Sequence, residues 1–117
     1  MCFCKHTAPP SITSPVADVD ITVVEGNDTV FTCTARGFPT PTITWYRGVM
    51  ETERMELTGA EELIMMMEGF IVVTSTLTIS SVNRRDSDVY SCVATNGVLG
   101  SSRSDMRIFN LTVNCKC

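Results

Sequence analysis

Cysteine is the residue type with the widest reactivity in this 117-residue chain. Of six cysteines, four form two Cys-x-Cys pairs near the chain ends, Cys2 with Cys4 and Cys115 with Cys117. Cysteine thiolates form disulfides or bind zinc. We expect these four to pair with cysteines of neighbouring segments or of another chain. Bridges between the two tails, a four-thiolate zinc site and free thiols are the alternatives.

Few other residues favour catalysis. A hydrolytic triad needs an orientable base, and the single histidine is His6, near the amino terminus. The sequence has no Gly-rich phosphate loop, no His-based metal spacing and no isolated carboxylate pair in an apolar stretch. We interpret the acidic segment 51–62 as a solvated edge, or less simply as a surface for a cation or a basic partner. The sequence predicts neither an enzyme nor a cofactor.

Charge and composition exclude several classes of partner. A net charge of −4 and an isoelectric point near 4.8 leave no basic stripe for nucleic acid or anionic membranes. The longest apolar run, Leu63 to Met67, is far shorter than the roughly 18 residues that cross a bilayer. The length suits one domain, which we predict over residues 11–113, between tails at 1–10 and 114–117.

Two features concern the cellular compartment, and they point in opposite directions. Asn27-Asp28-Thr29 and Asn110-Leu111-Thr112 are glycosylation sequons, and six cysteines also suit an oxidising compartment. Residues 1–10, however, lack the basic start and continuous apolar stretch of a secretory signal. We expect an extracellular or cell-surface location, with any signal lying outside this chain.

Short β-rich runs separated by turn residues recur along the whole sequence, which predicts an all-β fold. Residues 11–24 read as two extended pieces broken around Pro15, as in an edge strand that changes partners. In the last strand, Met106 and Ile108 alternate out of step with the inward-facing Phe109. A β-bulge near Ile108 would let all three apolar side chains face the core. Alternation places the following residues in the core: Phe31, Cys33, Ala35, Ile43, Trp45, Leu77, Ile79, Tyr90, Cys92, Ala94, Phe109, Leu111 and Val113.

The segment between residues 48 and 69 is the least regular part of the sequence. We predict a short strand followed by a longer edge strand there. Alternate members of the run Leu63 to Met67 are expected to pack under that edge strand. The alternative is an adaptable, sulfur-rich contact surface, because methionine accommodates varied partners.

Two segments, CTARGFPTPTITWYRG (33–48) and STLTISSVNRRDSDVYSCVATN (75–96), resemble I-set immunoglobulin domains. The resemblance covers roughly residues 10–113. It implies an immunoglobulin-like Greek-key β-sandwich whose two antiparallel sheets are joined by a disulfide between Cys33 and Cys92. Closing a loop of this size stabilises a fold by roughly 4 kcal/mol in the chain-entropy model.

The same resemblance assigns roles to four further residues of the core signature. Trp45 is expected to cover the disulfide, and Tyr90 to form a tyrosine corner at the turn before its strand. Asp86 and Leu77 complete this core signature.

The chain departs from the family pattern at this corner. Asp88 replaces a frequent glycine, and no arginine stands where the family's ion pair with Asp86 would need one, a position near Met66. Arg54 and Arg84 are the candidate substitutes.

The resemblance implies a non-catalytic protein-binding module of an extracellular adhesion, receptor or matrix protein, in tandem with other domains. Its partner would be a protein, bound homophilically or heterophilically, and this segment would not insert into a membrane. Alternatives are a structural repeat of an intracellular muscle or cytoskeletal scaffold and the ectodomain of a receptor kinase. The stretch 97–110 is a further place for contacts. The candidate partner face comprises Tyr46, Val89, Ser91 and Val93.

Overall fold

The computed structural model describes residues 8–48, 50, 52–96 and 104–115. Those residues form nine β-strands and one 3₁₀ turn, Arg84–Asp86. The strands are β1 (Ala8–Ser14), β2 (Val19–Val24), β3 (Thr29–Phe38), β4 (Thr42–Arg47), β5 (Met55–Leu57), β6 (Glu61–Met67), β7 (Phe70–Ile79), β8 (Asp88–Thr95) and β9 (Ser104–Asn114).

The strands form two sheets, with orders β1-β3-β7-β6 and β2-β9-β8-β4-β5. Neighbouring strands pair antiparallel except β2 and β9, which run parallel from Val19 opposite Phe109 to Val24 opposite Asn114. The predicted two-sheet sandwich is confirmed.

The first strand changes sheets at Pro15, as predicted. β1 pairs with β3 in one sheet, whereas β2 pairs with β9 in the other. Proline has no N–H to donate, so the break falls where ladder hydrogen bonds end. The Pro15 carbonyl accepts a hydrogen bond from Nε of Arg107 at 2.9 Å instead.

The core lies between the sheets and is built by strict alternation. β3 alternates buried and non-buried side chains along its whole length, and β7 does so from Phe70 to Leu77. Four aromatic rings fill the centre, where Phe31 lies 5.2 Å from both Tyr90 and Phe109 and Trp45 lies 5.4 Å from Phe109, measured between centroids. Such contacts add to the stabilisation that burial alone provides.

The predicted bulge near Ile108 is wrong. Register between β8 and β9 runs unbroken from Asp88 opposite Leu111 to Thr95 opposite Ser104. Met106 and Ile108 have the opposite parity because they lie on the outer face of the sheet.

The predicted packing of the run Leu63 to Met67 under an edge strand is also wrong. All seven residues of β6 are exposed, and Met66 retains 76% of its accessible surface. β6 is the last strand of its sheet, and the edge strand of the other sheet, β5, is only three residues long. Among the described residues, no element covers the run at this edge.

Candidate functional site

A disulfide and a hydrogen bond cross the core side by side. The disulfide joins Cys33 in β3 to Cys92 in β8, and both residues are fully buried. Trp45 lies opposite Cys92 on β4, and Ser75 lies opposite Cys33 on β7. The indole Nε1–H of Trp45 donates to Oγ of Ser75 at 2.8 Å. The two sheets are therefore linked twice at the same level.

Tyr90 fixes the turn between β7 and β8. Its phenol donates to the backbone carbonyl of Asp86 at 2.6 Å, while Leu77 is buried on β7. Burial raises the pKa of the Tyr90 phenol, although the nearby Arg47 opposes that shift. The turn itself is closed by Asn83, whose side chain accepts from the N–H of Arg85. This geometry is that of a tyrosine corner.

The ion pair near this corner joins Arg47 to Asp88, with 2.8 Å between Nε and Oδ2. This hydrogen bond lowers the pKa of Asp88 and raises that of Arg47. Within the described residues, neither Arg54 nor Arg84 pairs with Asp86. The Asp86 carboxylate instead accepts from the backbone N–H of Asn83. Asp88, which departs from the family pattern, therefore supplies the carboxylate of the ion pair.

The four residues predicted for the partner face share the outer surface of the five-stranded sheet but differ in exposure. Tyr46 and Val89 are half-buried. Ser91 is 0% exposed and Val93 8%, so both lie below the surface. Ile108 lies opposite Ser91 and Met106 lies opposite Val93.

Two local contacts order this face. The Arg54 guanidinium lies 3.8 Å from the centroid of the Tyr46 ring, a cation–π contact that holds the ring against β5. The Ser91 hydroxyl donates to the Gly48 carbonyl at 3.0 Å. We define the outer face as Tyr46, Val89, Met106 and Ile108, with Ser91 and Val93 beneath.

The two sequon asparagines are exposed at different places. Asn27 lies in the turn between β2 and β3, where its N–H donates to the Val24 carbonyl at 3.1 Å. Asn110 lies in β9, and its side-chain amide donates to Oδ1 of Asp20 at 2.8 Å. Because Asn110 is opposite Val89, it belongs to the same surface as the outer face.

The cysteines of the tails are only partly placed. Cys115 is exposed with a free thiol, while Cys2, Cys4 and Cys117 lie outside the described residues. His6 and residues 97–103 also lie outside the described residues, so only residues 104–110 of the stretch 97–110 that was predicted to make contacts are described, and these lie in β9. Within the ranges that the structure describes, no three His, Cys, Asp or Glu side chains are grouped to hold a metal ion. Those ranges also contain no helix long and apolar enough to cross a membrane.

Asp105 and Arg107 attach the end of β1 to β9, a role that the sequence did not lead us to predict. Arg107 donates to the carbonyls of Ile12 and Pro15 at 3.1 and 2.9 Å. Asp105 accepts from the Ile12 N–H at 2.8 Å and pairs with Arg107 at 3.0 Å. The available signal was two charged side chains at the inward parity of Phe109. The bulge was predicted from a different observation, the opposite parity of Met106 and Ile108.

Comparison with known proteins places this geometry in a family. A sequence profile of the immunoglobulin domain matches residues 9–96. Lachesin of Drosophila melanogaster is 34% identical over 104 residues, which are 89% of this chain and 25% of Lachesin. Human hemicentin-1 is 31% identical over 116 residues, which are 95% of this chain and 2% of hemicentin-1. The chain thus spans a quarter or less of these relatives.

Solved structures agree in fold. A chimeric titin Z1Z2 structure matches with a TM-score of 0.64 at 27% identity. The match covers 94% of this chain and 98% of the titin chain. The N-terminal four Ig domains of Dscam1 give a TM-score of 0.63 at 20% identity, with 94% of this chain and 26% of that chain covered. The disulfide, the tyrosine corner and the strand order agree with the profile match, and the chain belongs to the immunoglobulin domain family.

Proposed function

We propose that this chain is a non-catalytic protein-binding module of an extracellular adhesion, receptor or matrix protein, arranged in tandem with other domains. As an immunoglobulin-like module, it is related to cell-adhesion proteins, Lachesin among them, and to Ig domains of titin. The main observation in support of this proposal is the fully buried Cys33–Cys92 disulfide, because disulfides form and persist in oxidising compartments.

The relatives support this compartment, and the surface supports the binding role. Lachesin matches along 89% of the chain, at higher identity than the titin structure. The outer face offers a half-buried aromatic ring, Tyr46, in cation–π contact with Arg54, and an exposed Met106 two strands away on β9. Aromatic, Arg and Met side chains are enriched in protein interfaces. A protein partner therefore suits this face better than a small molecule.

Glycosylation at Asn27 and Asn110 is part of the proposal. A glycan on Asn110 would stand beside Val89 and cover that side of the outer face. Tyr46 lies two strands away on β4 and would stay accessible. We therefore assign partner contacts to the Tyr46 side, whereas Asn27 leaves the outer face uncovered because it lies in a turn.

A second candidate function is a structural repeat of an intracellular scaffold. The titin structure, which is 27% identical over nearly its full length, favours it. In that setting, Cys33 and Cys92 would be reduced and both asparagines would be unmodified.

A non-reducing peptide map of the protein from its native source separates the two functions. We expect a Cys33–Cys92 bridge and a glycan on at least one of Asn27 and Asn110. Reduced thiols together with unmodified asparagines would overturn the extracellular proposal in favour of the scaffold.

The binding role needs its own test, because a secreted domain can also serve as a spacer. Beads coated with the glycosylated domain are mixed with each other, and Tyr46→Ala is compared with Val30→Lys, a change at an exposed residue of the other sheet. Aggregation that Tyr46→Ala alone abolishes would support homophilic binding through the outer face. Equal loss in both variants would contradict the assignment of this face.

A further inference from the structure

β6 carries an apolar surface that the fold does not use. The strand closes one edge of the four-stranded sheet and pairs with β7 alone among the described strands. Leu63 is 63% exposed and Met66 76%, and the three apolar residues between and after them are 47 to 54% exposed. Proteins usually protect edge strands with charge, proline or short length, because the free backbone groups can pair with another chain. The centre of β6 has none of these protections.

Both faces of β6 share this exposure. Ile64 lies opposite the buried Val73, which places Ile64 on the inner side of the sheet. Met65 lies opposite Val72 and therefore points to the outer side. Since each is more than half exposed, the domain packs neither side of the strand, and an added strand would find apolar contacts on both.

Carboxylates at the two ends of the apolar run indicate the charge of the occupant. Glu61 and Glu62 precede it, Glu68 follows it, and all three are exposed. An antiparallel second copy centred on Met65 would place Glu62 against Glu68 of the other copy. A parallel, in-register copy would place Glu61 beside its own equivalent. Like charges opposite each other destabilise strand pairing, so a second copy is disfavoured and Lys or Arg flanks are favoured.

We propose that β6 is a docking edge for an extended segment of a protein partner, apolar at its centre and basic at both ends, which adds a fifth strand to this sheet. Backbone hydrogen bonds supply affinity in this mode, and side-chain contacts supply selectivity. The methionines adapt to different apolar side chains, while the glutamates select the flanks. This surface belongs to the sheet opposite the outer face, so a strand added here would not require the Tyr46 contacts.

The test uses two fluorescein-labelled peptides, KRVTVTVKR and EEVTVTVEE, which share a central pattern and differ in flanking charge. We expect saturable binding of the basic peptide and at least tenfold weaker binding of the acidic one. The double variant Glu62→Lys with Glu68→Lys should reverse this preference, since both residues are exposed and the fold does not depend on them. Val30→Lys, an exposed site on β3 in the middle of the same sheet, should change neither affinity.

Amide hydrogen exchange locates the bound peptide. Slower exchange of residues 61–67 on peptide addition supports the proposal. Binding that protects another strand, or no binding of either peptide, overturns it. Dimerisation in sedimentation experiments that Met66→Lys abolishes would identify a second copy as the occupant and would also overturn it.

Discussion

The indole Nε1 of Trp45 lies 2.8 Å from Oγ of Ser75, and these two residues are the strand-pairing partners of Cys92 and Cys33. The hydrogen bond and the disulfide therefore connect the two sheets through neighbouring pairs of residues. A buried donor without an acceptor costs more than the hydrogen bond itself contributes, because the group stays desolvated. The serine at position 75 is consequently as much a part of the inter-sheet link as the tryptophan.

Ser75→Ala tests this link. We expect it to lower the free energy of unfolding by about 1–3 kcal/mol, since the Trp45 indole would lose its acceptor inside the core. Urea denaturation followed by the fluorescence of Trp45, the one tryptophan of the chain, measures the change. Ser80→Ala, at an exposed serine after β7, is the matched control and should stay within about 0.5 kcal/mol of the parent. A loss no larger than the control would show that the hydrogen bond contributes nothing.

The disulfide should dominate stability and should be coupled to Ser75. Replacing Cys33 and Cys92 together by alanine is expected to cost about 4 kcal/mol for a loop closed across 59 positions. Neighbouring sites behave non-additively, so combining this change with Ser75→Ala should deviate from the sum by at least about 0.5 kcal/mol. Cys115→Ser, at the exposed thiol, controls for the loss of a cysteine and should leave the midpoint unchanged. Strict additivity would contradict the coupling.

Arg107 should hold β1 against β9. Its guanidinium reaches two carbonyls, those of Ile12 and Pro15, which a lysine ammonium cannot match in geometry. We expect Arg107→Lys to speed exchange of the Ile12 amide at least tenfold while amides of β3 and β7 keep their protection. Arg84→Lys, at an exposed arginine of the 3₁₀ turn, is the control. Unchanged exchange at Ile12 would assign the attachment to Asp105 alone.

Alkaline pH should weaken the tyrosine corner. Burial raises the pKa of Tyr90 above its ordinary value of about 10, so the folded state keeps a proton that the unfolded chain releases. The corresponding stability is complete below about pH 10 and is lost as the pH rises towards the folded pKa. Tyr90→Phe should lose about 1 kcal/mol at neutral pH and show a shallower decline above pH 10.

Direct titration checks the same shift. Tyr46→Phe leaves Tyr90 as the single tyrosine, so ultraviolet absorbance then reports its ionisation alone. A midpoint at or below 10 in the folded protein would contradict the effect of burial.

The fold could be predicted from the sequence wherever apolar and polar residues alternate along a strand and the signature cysteines and tryptophan have the family spacing. Phe31, Cys33 and Ala35 are each fully buried because a half-buried strand has a period of two, which needs no tertiary information to detect. The change of sheet at Pro15 was predictable for a similarly local reason, the missing N–H.

Two surfaces were not predictable from local pattern. Ser91 and Val93 have outward parity, yet they are buried because neighbouring strands cover them, and a sequence does not give that lateral packing. The run Leu63 to Met67 looked like core because it is apolar, but burial also requires a facing layer, and β5 is too short to supply one. Arg47 was overlooked for the ion pair because β4 meets the start of β8 only in the folded sheet.

The parallel pairing of β2 with β9 has a mechanical consequence. β1 and β2 run in the same direction as β9, so the chain enters at Ala8 and leaves after Asn114 at opposite ends of the sandwich. Opposite pulls on the two ends of the domain would slide β2 along β9 lengthwise, and the backbone hydrogen bonds of their six paired positions would resist together instead of opening one after another. In the tandem arrangement proposed above, this ladder would carry such a load as a unit.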